Sequence, residues 1–131
     1  MPDPTAVTES TMKKFNTAYE LKMTAATANT GGGAEVFTFT PTAVRGLLII
    51  DAVGPTTATA TKDIAVSIAA GTLWSGKTVT ATATKGKITV IEVETARAKG
   101  SEGEIAVTLT PGEGDKLKTD HVCKVAYVEL I

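Results

Sequence analysis

The segment Gly71 to Thr78 reads G-T-L-W-S-G-K-T and matches the G-x-x-x-x-G-K-[S/T] pattern of phosphate-binding loops. An apolar run that ends in an acid, Leu47 to Asp51, has the form of the magnesium-holding strand that accompanies such loops. These loops bind phosphate because their amides and the N-terminus of a following helix converge on the anion. After Thr78 the chain reads V-T-A-T-A-T, an alternation of β-branched residues that favours a strand. We therefore expect no nucleotide site and no cofactor here.

The single histidine and the single cysteine, His121 and Cys123, are two residues apart and on a strand would share a face. Two ligands at that spacing could touch one metal ion. A structural zinc site takes four protein ligands, however, and a catalytic one usually takes three. Because the sequence holds no third histidine or cysteine, we interpret His121 as a surface residue beside a small, partly buried Cys123, and we expect no metal site.

Several carboxylates also lie close together in the sequence, and paired carboxylates can hydrolyse glycosides. Glu92 and Glu94 share a strand face, but only 5% of the residues are aromatic, which leaves few side chains to form sugar subsites. A charged strand edge that discourages strand addition explains these residues as well. None of the four serines lies in a nucleophile-elbow motif. The sequence therefore predicts no enzyme. Four further acidic residues follow Glu92 and Glu94 in the sequence: Glu102, Glu104, Glu113 and Asp115.

The composition indicates one β-rich domain. The 131 residues are near the commonest domain size and can bury one core without disulfides or metal. The chain contains 24 threonines, 19 alanines and 12 valines, and residues branched at Cβ suit a pleated sheet better than a helix. A formal charge of −1 argues against a general nucleic-acid binder. No apolar run is long enough to span a membrane, and no secretion signal is expected at the N-terminus.

Alternating or continuous apolar runs separated by glycine or proline predict about eight strands. The fifth and sixth, joined at Lys85-Gly86, are predicted to form a β-hairpin. The first has a helical alternative through Met12, Phe15, Tyr19 and Met23. The expected fold is all-β, a single antiparallel β-sandwich or small barrel. The predicted strands are Phe15–Met23, Glu35–Thr40, Val44–Val53, Ala58–Ala70, Thr78–Thr84, Ile88–Arg97, Glu104–Thr110 and Val122–Leu130.

The first dozen residues are polar, include two prolines and show no clear period. We interpret residues 1–12 as an extended N-terminal arm outside the core, and residues 13–131 as the β-sandwich domain. Terminal arms are poorly ordered unless something fixes them, and neighbouring subunits could do so. On this interpretation, removing the arm would barely change the melting temperature but would weaken binding to a partner.

Three residues are candidate structural or contact residues. Trp74, the only tryptophan, lies in the glycine-bounded loop Gly71 to Gly76. Glu94 and Arg97 are three residues apart near a predicted strand end. They could form a surface ion pair worth about 0–1 kcal/mol. Alternatively, Arg97 could hold the following turn or reach a partner subunit.

Seven short segments follow one another between Gly46 and Leu130: G-L-L-I-I-D, I-A-V-S-I-A-A-G, L-W-S-G-K, T-V-T-A-T, E-T-A-R, E-G-E-I and V-A-Y-V-E-L. Their order resembles that in a family of small proteins encoded in the structural gene blocks of tailed bacteriophages. The resemblance covers about two-thirds of the chain. In this family an aromatic residue often follows the E-x-x-R piece, where this chain has Ala98. The acid–glycine turn is usually Asp-Gly, where this chain has Glu102-Gly103.

The resemblance implies a non-enzymatic virion structural protein, such as a capsid decoration or cement protein that binds the assembled head. Its partners would be the major capsid protein or other virion subunits, with self-association left open. No nucleic acid, membrane or small-molecule substrate is expected. The protein would be located in the virion, assembled in the host cytoplasm. A phage tail structural protein and a bacterial cell-surface Ig-like adhesive module remain alternatives.

Overall fold

The computed structural model describes residues 4–12, 20–72, 77–100 and 102–130, with backbone alone at positions 12, 96, 97 and 130. These residues form two stacked sheets, which confirms the expected all-β sandwich; the sheets are open and do not close into a barrel. Ten strands are present among them. Their bounds are β1 Thr5–Ala6, β2 Ser10–Met12, β3 Thr24–Ala25, β4 Glu35–Phe39, β5 Arg45–Asp51, β6 Ile64–Ile68, β7 Val79–Ala83, β8 Ile88–Glu94, β9 Ile105–Pro111 and β10 Lys124–Leu130.

One sheet has the strand order β1-β4-β9-β6-β7, and the other has the order β2-β10-β5-β8, with β3 also paired to β10. Most pairings are antiparallel, but β1 runs parallel to β4 and β2 runs parallel to β10. The sheets are therefore mixed. Two short helical segments interrupt the strands, a single α-helical turn Thr95–Ala98 after β8 and a π-helical turn Leu117–His121 before β10.

Period-two alternation directs one face of each long strand into the core. In β4, Phe37 and Phe39 point inward, and in β9 the buried positions alternate in the same way. The ring of Phe39 stacks on that of Tyr127 from the opposite sheet, with centroids 4.1 Å apart. Gly46 lies against the Tyr127 phenol, where a Cβ atom would collide with the ring. The aromatic contact thus requires glycine at that position of β5.

The expected β-hairpin between Thr78–Thr84 and Ile88–Arg97 is wrong. Strand β7 pairs with β6, whereas β8 pairs with β5 in the other sheet. The turn at Lys85-Gly86, with Gly86 at φ 73°, carries the chain from one sheet to the other. A tight turn with positive φ suits a hairpin and a sandwich corner equally, so the local sequence does not distinguish them. Strand β8 also ends at Glu94, because Thr95 starts the helical turn.

The N-terminal residues belong to the fold. Strands β1 and β2 add to different sheets, so the segment between them crosses from one sheet to the other. Val7 lies in this crossing and is only 4% exposed. Its amide donates a hydrogen bond to the carbonyl oxygen of Thr38 at 2.8 Å. For residues 4–12, the expectation of an arm outside the core is therefore wrong. The first predicted strand, Phe15–Met23, falls mostly outside the described residues.

The crossing segment makes the two lateral sides of the sandwich different. On one side, β1 and β2 join the edges of both sheets through a single stretch of chain. On the other side, β7 and β8 are the edge strands, and none of the described strands pairs with their outer edges. We call these the closed side and the open side. An exposed sheet edge can pair with another strand, so the difference bears on association.

We expect Val7→Ala to lower the free energy of unfolding by about 1–3 kcal/mol, because it removes buried methyl groups from the core. Thr8→Ala is the matched control, since Thr8 is exposed and should stay within about 0.5 kcal/mol of wild type. Chemical denaturation of the three proteins measures both values. Equal stability of the two variants would place Val7 outside the core.

Candidate functional site

Four loops converge at one end of the sandwich, which we call the four-loop end. They are residues 26–34, 52–63, 84–87 and 112–123. Each loop joins two strands, and the register of strand pairing places all of these strand ends at the same end of the sandwich. Loops at one end of a sandwich commonly carry binding residues because the sheets hold them in fixed positions. The loop 112–123 contacts two of the other three by hydrogen bonds from Gly32 N to Asp115 O and from Thr59 Oγ1 to Asp120 Oδ1.

Asp115 is the central acid of the four-loop end and is only 5% exposed. Its carboxylate accepts hydrogen bonds from the amides of Thr61 and Lys62, at 3.1 Å and 2.8 Å, and from the Thr61 hydroxyl at 3.2 Å. Burial by itself would raise the pKa of Asp115, but these donors stabilise the charged form and hold the pKa below its ordinary value. Asp115 thereby fixes a loop that is more than fifty residues away in the sequence.

His121 is also buried, with 1% exposure, so its interpretation as a surface residue is wrong. It ends the π-helical turn, and the following Val122 adopts the left-handed conformation at φ 50°. Its Nε2 lies 3.4 Å from Asp115 Oδ2, but neither ring nitrogen makes a hydrogen bond. Burial lowers the pKa of His121 below 6.5, and the nearby charges of Asp115 and Asp120 only partly offset that effect.

Cys123 lies in the core and not beside an accessible metal position. It is 1% exposed, and burial raises the pKa of its thiol to about 12. A thiol with that pKa carries almost no thiolate at neutral pH, and the thiolate is the nucleophilic and metal-binding form. Within the described ranges, no three or more His, Cys, Asp or Glu residues are grouped so as to hold a metal ion.

Two further buried carboxylates hold loops and were missed by the sequence reasoning. Glu35 accepts hydrogen bonds from the amides of Thr27 and Ala28, both at 2.7 Å, and from the hydroxyl of Thr5 at 2.7 Å. Glu129 accepts from the amide and the hydroxyl of Thr42 at 2.6 and 3.0 Å. Strand parity could have found both acids, because Glu35 shares its face with Phe37 and Phe39, and Glu129 shares its face with Tyr127.

The phosphate-loop pattern has a strand where its chemistry requires a helix. Residues 73–76 lie outside the described part of the chain, Lys77 and Thr78 are exposed, and β7 starts at Val79. The expected strand after Thr78 is confirmed. Anion binding by such a loop depends on a helix N-terminus at that position, and β7 does not supply one.

Of the three candidate contact residues, the structure describes the side chain of Glu94 alone. Trp74 and the side chain of Arg97 lie outside the described residues. Glu94 is exposed at the end of β8 and does not cap the helical turn that follows it. Nearby, Glu92 lies 3.8 Å from the guanidinium of Arg45, and both side chains are about two-thirds exposed, so this ion pair contributes little stability.

No protein-family model, curated protein or solved structure matches this chain. In the described part of the chain, no helix has the length and apolar character needed to cross a membrane. The candidate site therefore rests on its own geometry. That geometry consists of interlocked loops, buried carboxylates engaged with amides, and one buried imidazole without a hydrogen bond.

Because the pKa of His121 is lower in the fold than in the unfolded chain, the unfolded chain binds more protons once the pH falls below 6.5. We expect the free energy of unfolding to decrease as the pH is lowered from 7 to about 5. His121→Gln should lack that decrease, since the chain has no other histidine. Denaturation at a series of pH values measures both profiles.

The imidazole ¹³Cε1 resonance of the wild-type protein gives an independent check, because one histidine produces one signal. Its titration midpoint should lie below 6.5. Parallel pH profiles for wild type and His121→Gln, or an imidazole midpoint at or above 6.5, would contradict the assignment of His121 as a buried neutral group.

Proposed function

We propose that this chain is a non-enzymatic structural protein of a tailed-bacteriophage particle, where it binds the assembled head as a decoration protein. The observation that carries this proposal is the difference between the two sides of the sandwich. The N-terminal crossing closes one side, while on the other side no described strand pairs with the outer edges of β7 and β8, which are the edges a neighbouring subunit would contact.

The open side also carries exposed apolar side chains. Val79 on β7 is 52% exposed, and Ile88 and Val90 on β8 are 56% and 53% exposed. A partner that covers apolar residues at such exposure removes them from water, which stabilises the complex. Unpaired strand edges provide backbone donors and acceptors for the same contact. The open side therefore has the properties of a contact surface in an assembly.

The buried polar groups support a structural role as well. The carboxylates of Glu35, Asp115 and Glu129 each accept hydrogen bonds from loop amides, so they fix loops in place. Loops held in this way keep one shape when the protein binds, which reduces the entropy lost on association.

The family resemblance supplies the identity of the partner. Its pieces span β5 to β10, which includes both edge strands of the open side. A protein that binds only the assembled shell stabilises that shell by mass action, which is how cement proteins act. On this proposal the partner is the major capsid protein or another virion subunit.

The test is a titration of purified protein onto expanded heads of the phage whose gene block encodes it, assembled without the protein. We expect saturable binding with a fixed number of copies per head, measured by sedimentation and electron microscopy. Tails from the same phage form the second arm, and saturable binding to tails alone would show a tail structural protein instead. Binding to neither particle would contradict the proposal.

A surface variant tests the contact assigned to the open side. We expect Val90→Lys to weaken head binding at least tenfold while the melting temperature stays near that of wild type, because Val90 points outward. Val44→Lys is the matched control, since Val44 is 72% exposed in the loop between β4 and β5, at the end opposite the four-loop end. Undiminished binding by Val90→Lys would exclude the outer face of β8 as the contact.

A further inference from the structure

The edge strand β8 lacks most of the features that block pairing with another strand. It pairs with β5 in an unbroken register from Ile88 to Glu94, so no bulge interrupts it. The strand contains no proline, glycine or lysine, and the residues on its inward face, Thr89, Ile91 and Val93, are uncharged. A long and regular edge strand of this kind is a typical site for the addition of another strand.

The even-numbered residues of β8 direct their backbone groups away from β5. At one end of this pairing Thr95 N donates to Val44 O at 3.0 Å, and at the other end Ala52 N donates to Lys87 O at 3.1 Å. The bonded side alternates along an antiparallel strand, so the odd-numbered residues between these two also face β5. The amides and carbonyls of the even-numbered residues from 88 to 94 therefore point to the outer edge, where no described strand pairs with them.

The charges on and beside β8 limit which strand can occupy this edge. Glu92 and Glu94 are exposed at one end of the strand, where Arg45 contacts Glu92. The turn before the other end carries Lys85 and Lys87, which are exposed, and no salt bridge to either ammonium group is present among the described residues. Because like charges directly opposite each other destabilise a strand pair, the fitting strand is basic beside the glutamates and acidic beside the lysines. A second copy of β8 in antiparallel orientation has this charge order.

We propose that two copies of this chain associate by antiparallel pairing of their β8 strands about a two-fold axis at Val90, which joins the two sheets into one. Residues directly opposite in such a pair share a face, so the axis must pass through a residue position. An axis at Glu92 would place two acids opposite each other, and an axis at Ile91 would make the two Glu92 side chains diagonal neighbours. An axis at Val90 places Val90 against its own copy and Ile88 against Glu92 of the partner subunit.

This register forms about six backbone hydrogen bonds between the copies, because the positions 88, 90 and 92 all direct their amides and carbonyls to the shared edge. The contact is short, so the association is weak, with a Kd on the order of 10–100 μM. The inference goes beyond the proposed function and does not depend on it. The dimer presents the outward side chains of both β8 strands on one face, which stays open to the head.

Sedimentation equilibrium of the full chain without any phage particle tests the association separately from head binding. We expect a monomer–dimer equilibrium between about 1 μM and 1 mM protein. Val90→Pro removes the central amide donor of the contact but no hydrogen bond to β5, and edge strands tolerate proline at such positions. This variant should fold and dimerise at least about tenfold more weakly. Val90→Thr is the matched control, since it keeps the amide and the branched Cβ and should dimerise like wild type.

Disulfide crosslinking tests the register and does not need the proline variant to fold. The native Cys123 is buried, and its thiol pKa of about 12 keeps it from competing. Val90→Cys places two thiols at opposite positions with Cα atoms about 5.5 Å apart, which is within disulfide range. In Glu92→Cys, the matched control, the two positions lie about four residues apart along the strands, roughly 13 Å and out of range.

We expect Val90→Cys to crosslink at least about tenfold faster than Glu92→Cys at equal concentration, because only the former holds its thiols together in the dimer. Three results would each overturn the proposal. They are a wild-type protein that stays monomeric up to about 1 mM, dimerisation undiminished by Val90→Pro, and equal crosslinking rates for the two cysteine variants.

Discussion

Irregular chain buried at the ends of a β-sandwich must find partners for amides that no sheet ladder supplies. In this protein carboxylates on or between the strands supply them. Glu35 on β4 fixes the loop 26–34, Asp115 fixes the loop 52–63, and Glu129 on β10 fixes the loop between β4 and β5. Charge-assisted hydrogen bonds of this kind are stronger than neutral ones and offset the cost of burying the acids. Two of the four loops at the candidate site, 26–34 and 52–63, are held in this way.

Period-two alternation was sufficient to predict most of the long strands, because each has one face in the core. The strand predicted at Glu104–Thr110 is close to the observed Ile105–Pro111, whereas the strand predicted at Ala58–Ala70 was too long, because only Ile64–Ile68 forms a strand there. It could not predict β1 and β2, because β1 has only two residues and β2 only three, and strands this short show no period. Nor could it show that β7 and β8 belong to different sheets, because that depends on which strands they meet and not on the turn between them.

The candidate site was less predictable than the fold. His121 was expected at the surface because the sequence holds too few ligands for a metal site, yet it is buried beside Asp115, which is in turn anchored to Thr61 and Lys62. That burial arises from contacts between distant parts of the chain, and no local pattern encodes them. Glu35 and Glu129 are different, because their places on the inward face follow from strand parity. A charged residue on an otherwise apolar strand face is thus a sign of a buried carboxylate.

Amide hydrogen exchange in an Asp115→Ala variant tests most directly whether buried carboxylates hold the loops. The account predicts that the protection factors of the Thr61 and Lys62 amides fall at least about tenfold, because these amides lose their hydrogen-bond acceptor. The amides of Thr27 and Ala28, held by Glu35, should keep theirs and serve as an internal control. Unchanged protection at Thr61 and Lys62 would contradict the account, since the loop would then be held by something other than Asp115.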